Sequence, residues 1–309
     1  GYSSRVLIPA RQLRKLPLNM ASLPDAFCRA AAIPAVACTA LHALHLAGFW
    51  PHAPPSRNRG VLIHSAAGGV GTMLCCLAKH MGANPVVGVV GREEKLEDLR
   101  ALKTVGQTDA SRPVPAVDYA ILKKRLWTGV RSSMPDDLAD AVNEMKFAAI
   151  FDANGVETLQ RSYDNLAQSG RLVIYGFHTN LPRAPEVTIN RGSAVKDSCK
   201  SGTNVISSGV KTLMLSPFSW LTIGWRIIFG MPKFDPMMLT LSSKAVMGFN
   251  LSFLSPEIET MKAYLDAIVG YIESSVIPSN FTVTRVNDVR EGHELLSTGM
   301  SVGKIVTAV

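Results

Sequence analysis

The chain has few cysteines and none are paired as metal sites or disulfide frameworks require. Five occur in 309 residues, namely Cys28, Cys38, Cys75, Cys76 and Cys199, an odd number without a C-x-x-C spacing. A disulfide-stapled secreted domain is excluded, a reducing compartment is favoured, and no structural zinc cluster can be assembled. The thiols are expected to be buried small hydrophobes. An initiator methionine is also missing, so the chain is expected to begin inside a longer protein, and Gly1–Pro9 lacks the apolar core of a signal peptide. Long uninterrupted apolar runs are absent too. The nearest is Leu213–Met231, with Phe218, Trp220, Ile223, Trp225, Ile227, Ile228 and Phe229, but Pro217, Arg226 and two glycines interrupt it. A spanning helix needs ~20 mostly apolar residues, so a buried or interfacial helix with peripheral membrane contact is the expectation for 213–231.

Charge is sparse at 18% of residues, and hydrophobic residues reach 47%, a balance that suits a folded chain with a sizeable core rather than disorder. The formal net charge of +8 is spread along the chain. That distribution fits an ordinary basic surface or a phosphorylated cofactor, and no nucleic-acid partner is expected. No internal repeat is evident.

Residues 1 to about 34 open with strand-like alternation. Pro9, Pro17 and Pro24 then punctuate a loop, and a short helix runs from Asp25 to Ala32. A second helix is expected from Pro34 to Gly48, closed by the run Pro51–Pro55. A regular alternation follows: strand Val61–His64, helix Gly69–His80, strand Pro85–Val90, helix Glu93–Val105. Residues 107–137 read as an inserted surface loop. The alternation resumes with strand Phe147–Asp152, helix Val156–Gln168 and strand Arg171–Gly176. Lys244–Leu251 reads as a further strand, and Pro256–Ser274 as a long helix burying Met261, Leu265, Ile268 and Ile272. Phe281–Val286 and Gly303–Val309 close the chain as strands. Strand and helix in turn imply right-handed crossovers and an α/β fold, a Rossmann-type doubly wound parallel sheet.

The chemistry lies in Ala66-Ala67-Gly68-Gly69-Val70-Gly71, between a predicted strand and a predicted helix, the context in which a G-x-G-x-x-G match carries meaning. Ala66 replaces the first glycine. Gly68 lets the backbone approach a pyrophosphate, Gly71 lets the helix pack on the sheet, and the helix N-terminus faces the phosphates. The second strand ends at Val90 with no carboxylate for a ribose 2′-hydroxyl. Arg92 and Lys95 follow instead, placed to bind a 2′-phosphate, which selects NADP(H). His42, His45 and His64 flank this region and read as structural residues rather than an acid–base pair.

The run Val61–Gly71 resembles the fingerprint of the zinc-independent quinone oxidoreductases of the medium-chain dehydrogenase/reductase superfamily. The resemblance extends to Ile33–Leu44, Asp152–Gly155, Gly170–Gly176 and Gly299–Val306, in family order, and Met247–Leu251 is most similar to the vesicle amine transport protein-like branch. It implies that Thr39 lies near the nicotinamide, that Lys95 meets the 2′-phosphate, and that Asn154, Tyr175, Gly176 and Phe177 line the cofactor cleft. Phe249, Asn250 and Leu251 would approach the nicotinamide, and Tyr119 is the candidate for the tyrosine that packs near the adenine. Ala67, Gly68, Gly69, Val70 and Gly71 would cradle the pyrophosphate. The implied organisation is a partial GroES-like catalytic domain over 1–34, a cofactor domain over 35–274, and a return to the catalytic domain over 275–309. Most of the GroES-like domain, with its polar substrate residues, has no counterpart.

The resemblance implies NADPH-dependent hydride transfer to a quinone or α,β-unsaturated carbonyl without zinc, in a cytoplasmic homodimer paired through Met247–Leu251. A rival reading is a membrane-associated adaptor in which the cofactor is structural and the segment around Trp220 and Trp225 is the working surface. A third is a truncated chain that binds cofactor without turnover.

Overall fold

The computed structural model describes residues 5–49, 59–106, 112–127, 137–176, 230–254, 256–279, 281–299 and 301–307. Ten strands are described: β1 Val61–Ile63, β2 Val86–Val90, β3 Lys103–Val105, β4 Pro113–Pro115, β5 Tyr119–Leu122, β6 Phe147–Asp152, β7 Leu166–Ile174, β8 Ala245–Gly248, β9 Val283–Val286 and β10 Lys304–Thr307. Six form one sheet in the order β5-β2-β1-β6-β7-β8, every pair parallel. This is the doubly wound Rossmann arrangement expected from the alternation.

Alternation along the strands divides the core in two. Val61 and Ile63 of β1, Ala149 and Phe151 of β6 and Val173 of β7 belong to one apolar cluster, while Leu62, Ile150 and Leu172 belong to another. With both faces covered, the central strands are apolar at nearly every position. The first cluster lies under α2 (Ala26–Leu46) and α3 (Gly69–His80). The second holds Val142 of α5 (Asp137–Glu144) and Leu159 of α6 (Val156–Asp164). Among the remaining helices, α1 is Leu18–Ala21, α4 Glu94–Ala101, α7 Pro236–Ser242, α8 Ile258–Glu273 and α9 Val289–Ser297.

Several expectations are corrected. Residues 5–9 are not a strand. The two helices expected on either side of Ile33 are one, with Pro34 inside it. Proline there removes one intrahelical hydrogen bond, but Ala32, Ile33, Val36 and Ala37 around it are all buried, and their packing holds the helix together. The helix therefore runs through the 34/35 boundary between the expected domains. Among the described residues, α2 is the one helix long and apolar enough to cross a membrane; about half of its most apolar stretch is buried in the fold. The helix expected over Glu93–Val105 stops at Ala101, and β3 pairs antiparallel with β4. The expected surface loop contains β5, an edge strand of the main sheet whose Ala120, Ile121 and Leu122 are buried. The helix expected to reach Gln168 ends at Asp164, and β7 begins at Leu166. On α8 the buried line is Tyr264, Ile268 and Ile272, with Met261 and Leu265 partly buried. Beyond it, β9 and β10 pair in parallel across α9, a helix the periodicity did not reveal.

A close backbone contact joins α3 to the end of β1. A Cβ on Gly71 would lie 2.4 Å from the carbonyl oxygen of Ser65 and 2.6 Å from Ala66 Cα, so only glycine lets the helix start this close to the strand. Gly71→Ala is expected to destabilise the fold by ~2 kcal/mol or more, as overpacking against rigid backbone does. Denaturant unfolding measures it, and an unchanged midpoint would refute the close approach.

Candidate cofactor site

In an open parallel sheet a ligand binds beyond the carboxyl ends of the strands where the winding reverses. Here that point lies between β1 and β6, since the chain leaves β1 for β2 on one side and places β6 on the other. The loop Ala66–Gly71 follows β1, Arg92 and Lys95 follow β2, Asn154 follows β6, Tyr175 and Gly176 follow β7, and Phe249, Asn250 and Leu251 follow β8. These predicted positions therefore come together along one edge of the sheet. Phe177 and the segment 213–229 lie outside the described residues. Tyr119 does not join the site. It starts β5, level with Val87, at the strand end away from that edge, because the expected loop is a strand and fixes Tyr119 at its beginning.

The phosphate loop is shaped by a residue that the glycine pattern does not mark. Ser65 takes a left-handed conformation (φ 55°), and its carbonyl accepts the N–H of Gly68 at 2.9 Å. Its hydroxyl donates to Asn154 Oδ1 at 3.0 Å. Asn154 is held in turn by Asp152, whose Oδ1 accepts the Asn154 and Gly155 backbone N–H groups at 2.8 and 3.1 Å. Ser162 Oγ donates to the other carboxylate oxygen at 3.0 Å, and His64 Nε2 lies 3.1 Å from that hydroxyl. Asp152, Ser162 and His64 are fully buried. This Ser–His–Asp grouping is a brace: the carboxylate engages backbone and Ser162, leaving no exposed nucleophile. Gly68 forms the N-cap of α3 without a side-chain cap, so the first-turn amides Gly69, Val70 and Gly71 face the crevice with no intrahelical acceptor.

On the β2 side, Lys95 is half-buried and Arg92 exposed. Burial lowers the Lys95 pKa, and the neighbouring Arg92 charge lowers it further. No carboxylate replaces them: Glu93 faces away, paired with Lys124 at 3.0 Å. Towards the other end of the crevice, Thr39 donates its hydroxyl to Ala35 O one turn back at 2.7 Å. His42 lies one turn further along α2, its ring edge-on to Phe249 at 4.6 Å. Its Nδ1 lies 2.9 Å from the Tyr264 hydroxyl, and His45 Nδ1 lies 3.3 Å from the same oxygen. Asn250 Oδ1 accepts the Ser252 N–H at 3.0 Å and caps the short turn Leu251–Leu254. Tyr175 is a half-buried neutral phenol, its pKa driven up by desolvation and then by the Asp152 charge, and its hydroxyl reaches the His64 carbonyl.

Cys38, Cys75 and Cys76 are buried as expected and Cys28 is half-buried; burial pushes Cys38 up to about 11 and Cys76 up to about 12. Cys38, Cys75 and Cys76 are protonated packing residues. Cys199 lies outside the described residues. No group of three His, Cys, Asp or Glu able to hold a metal stands among the described residues.

Residues 69–214 match the family described as zinc-binding dehydrogenase. The chain is 30% identical over 180 residues to a 2-haloacrylate reductase of a Burkholderia species, covering 57% of this chain and 44% of that protein. It is 25% identical over 308 residues to a reducing polyketide synthase of Metacordyceps chlamydosporia, covering 99% of this chain and 10% of the synthase. The chain thus spans a tenth to under half of the length of these relatives. In fold it is similar to the Escherichia coli quinone oxidoreductase complexed with NADPH (TM-score 0.55, 20% identity, 95% of this chain and 67% of that one). It is also similar to a quinone oxidoreductase of Pseudomonas syringae pv. tomato (TM-score 0.59, 18% identity, 98% and 69%).

The buried imidazole of His64 and the half-buried ones of His42 and His45 set a pH dependence. Burial lowers the pKa of His64 despite the attraction of Asp152, with Lys123 adding to the effect, and burial likewise lowers His42 and His45. Above the ordinary histidine value of ~6.5 these rings are neutral folded or unfolded and the fold keeps its full stability. Below it the unfolded chain takes up protons first, so stability falls as pH falls. Thermal melts are expected to be flat above about pH 7 and to drop below ~6.5. A Tm that rises on acidification from pH 7 would contradict the burial of these rings.

Proposed function

We propose that the chain is an NADPH-dependent oxidoreductase of the medium-chain dehydrogenase/reductase superfamily, a reading supported by the zinc-binding dehydrogenase match over residues 69–214 and by the quinone oxidoreductase-like fold. In this reading it passes a hydride to a quinone or an α,β-unsaturated carbonyl without zinc. The observation that carries the reading is the crevice at the switch point, with a helix N-terminus after β1 and two cations after β2 where a ribose-binding carboxylate would select NADH.

The residues present fit a dinucleotide. A Cβ on Gly68 would sit 3.2 Å from Ser65 O, so a side chain there would crowd both the turn and any pyrophosphate above it. The amides of Gly69, Val70 and Gly71 would take the pyrophosphate oxygens, and Arg92 and Lys95 the 2′-phosphate. When bound, the cofactor supplies the hydride from its nicotinamide ring. The chain's part is to orient and to exclude water. Asn154 and Tyr175 wall the crevice over β6 and β7, and Phe249 against His42 closes its far end with apolar surface. Carbonyl polarisation falls to hydrogen-bond donors or to the acceptor's own conjugation. The 2-haloacrylate reductase and the polyketide synthases among the relatives favour an activated alkene over an isolated carbonyl. The reading includes a cytoplasmic homodimer, with β8 at the sheet edge among the described strands as the element free to pair across a two-fold axis.

Titration with NADPH and NADH tests this directly, followed by cofactor oxidation with quinones and enones. NADPH is expected to bind tighter. A charge-assisted hydrogen bond contributes ~1.5–3 kcal/mol, so Lys95→Met is expected to weaken NADPH by about ten- to a hundredfold and leave NADH unchanged. Preference for NADH by the natural chain would refute the assignment of Arg92 and Lys95.

A further inference from the structure

The groups assigned to the cofactor's phosphates already hold a ligand supplied by their own chain. Lys95 Nζ donates to the Ser301 carbonyl at 2.7 Å, and Arg92 Nη2 to the Thr298 carbonyl at 3.0 Å. The Gly303 N–H donates to the Ala67 carbonyl at 2.9 Å, and Gly68 and Gly303 form a parallel bridge across the loop. The Gly303 carbonyl lies 3.2 Å from where a Cβ on Gly69 would be, against the first residue of α3. One short stretch before β10 thus presents carbonyl oxygens to both cations and to the start of the helix, the places where phosphate oxygens would go.

We propose that Ser301–Gly303, with Thr298 before it, is an internal strap that competes with NADP(H) for its phosphate-binding groups. The inference rests on reading the crevice as an NADP(H) site. The chain then exists as a closed form, strap seated, and an open form that binds cofactor, and observed affinity is the intrinsic affinity scaled by the open fraction. The strap is built to leave. Its acceptors are neutral carbonyls, and a phosphate makes stronger charge-assisted bonds to the same donors. Gly299 and Gly303 both take φ near +65°, a conformation glycine enters and leaves without steric cost. Beyond Gly303 the chain stays anchored, since Lys304 N–H donates to Thr282 O and β10 pairs with β9.

Gly303→Ala destabilises the seated strap while leaving Arg92, Lys95 and the glycines of the phosphate loop themselves unaltered: with φ +65° its Cβ would lie 2.0 Å from Thr282 O. Affinities for NADPH, NADH and 2′,5′-ADP are expected to rise by one common factor, about tenfold, because the open fraction multiplies every ligand's affinity alike. In the natural chain, hydrogen exchange of the Gly303 amide, bonded to Ala67 in the closed form, is expected to speed up on adding NADPH while that of the anchored Lys304 amide stays unchanged and that of Gly69–Gly71 slows. This readout stands even if Gly303→Ala fails to fold. Unchanged or weaker affinity in a folded Gly303→Ala chain, or a Gly303 amide that slows on NADPH binding, would overturn the strap and leave the cofactor assignment intact. No binding of any of these nucleotides to either chain would overturn the cofactor assignment, and the strap's role with it.

Discussion

The contact between Gly71 and the turn after β1 governs the rest of the site. With no Cβ at 71, α3 starts against the carbonyl of Ser65, and its first-turn amides face the crevice instead of standing off above the sheet. The turn is in turn fixed from the neighbouring strand: Asp152 at the end of β6 holds Asn154, and Asn154 holds Ser65. A left-handed serine costs of order 1 kcal/mol, and it persists because hydrogen bonds on both sides over-determine it. The phosphate loop is thus a product of two adjacent strand ends. That adjacency is what the reversal of winding between β1 and β6 creates.

Charge is arranged around this geometry in a consistent way. Inside the sheet edge the titratable groups are neutral, with imidazoles lowered and thiols and the Tyr175 phenol raised by burial. The one buried carboxylate among the described residues, Asp152, is satisfied by backbone N–H groups and a hydroxyl, as a buried charge must be. Positive potential is kept for the crevice, from the helix N-terminus and from Lys95, whose partial burial makes an acidic ligand more welcome than water alone would. Anion binding is therefore a property of the whole edge.

Legibility in the sequence follows the same physics. β1, α3, β2 and β6 were readable because buried parallel strands are short apolar runs and α3 has glycine before it and a continuous apolar face. β5 was not readable: Tyr119–Leu122 is four residues long and follows Pro113 and Pro115, which signal a loop, so only its burial beside β2 identifies it. Pro34 suggested two helices where packing imposes one. α9 begins at an Asp288 cap and is too short and too polar in composition to stand out. At the site, glycines and the Arg92–Lys95 pair announced themselves by spacing. Ser65 and the Asp152–Ser162–His64 brace did not, because their roles depend on three-dimensional neighbours from different strands. Tyr119 was misplaced for the same reason, its position depending on a strand that the prolines concealed.

The terminal β9–α9–β10 unit explains why a strap should sit on the phosphate loop at all. Two strands and one helix with no buried residue of its own cannot sustain a core alone. The unit leans on its surroundings, with Val286 and Phe281 buried and Val283 and Val306 packed on the main cluster. Arg29 adds a hydrogen bond from α2 to the Phe281 carbonyl. Seating Ser301 and Gly303 on Lys95 and Ala67 extends that support to the loop before β10. A cofactor phosphate that takes over those groups removes the polar part of this support and must also draw Val302 of the strap away from the main cluster, while Val283 and Val306 on either strand keep their apolar contacts. Release then stays local to Thr298 and Ser301–Gly303, while the parallel pair behind it holds its place.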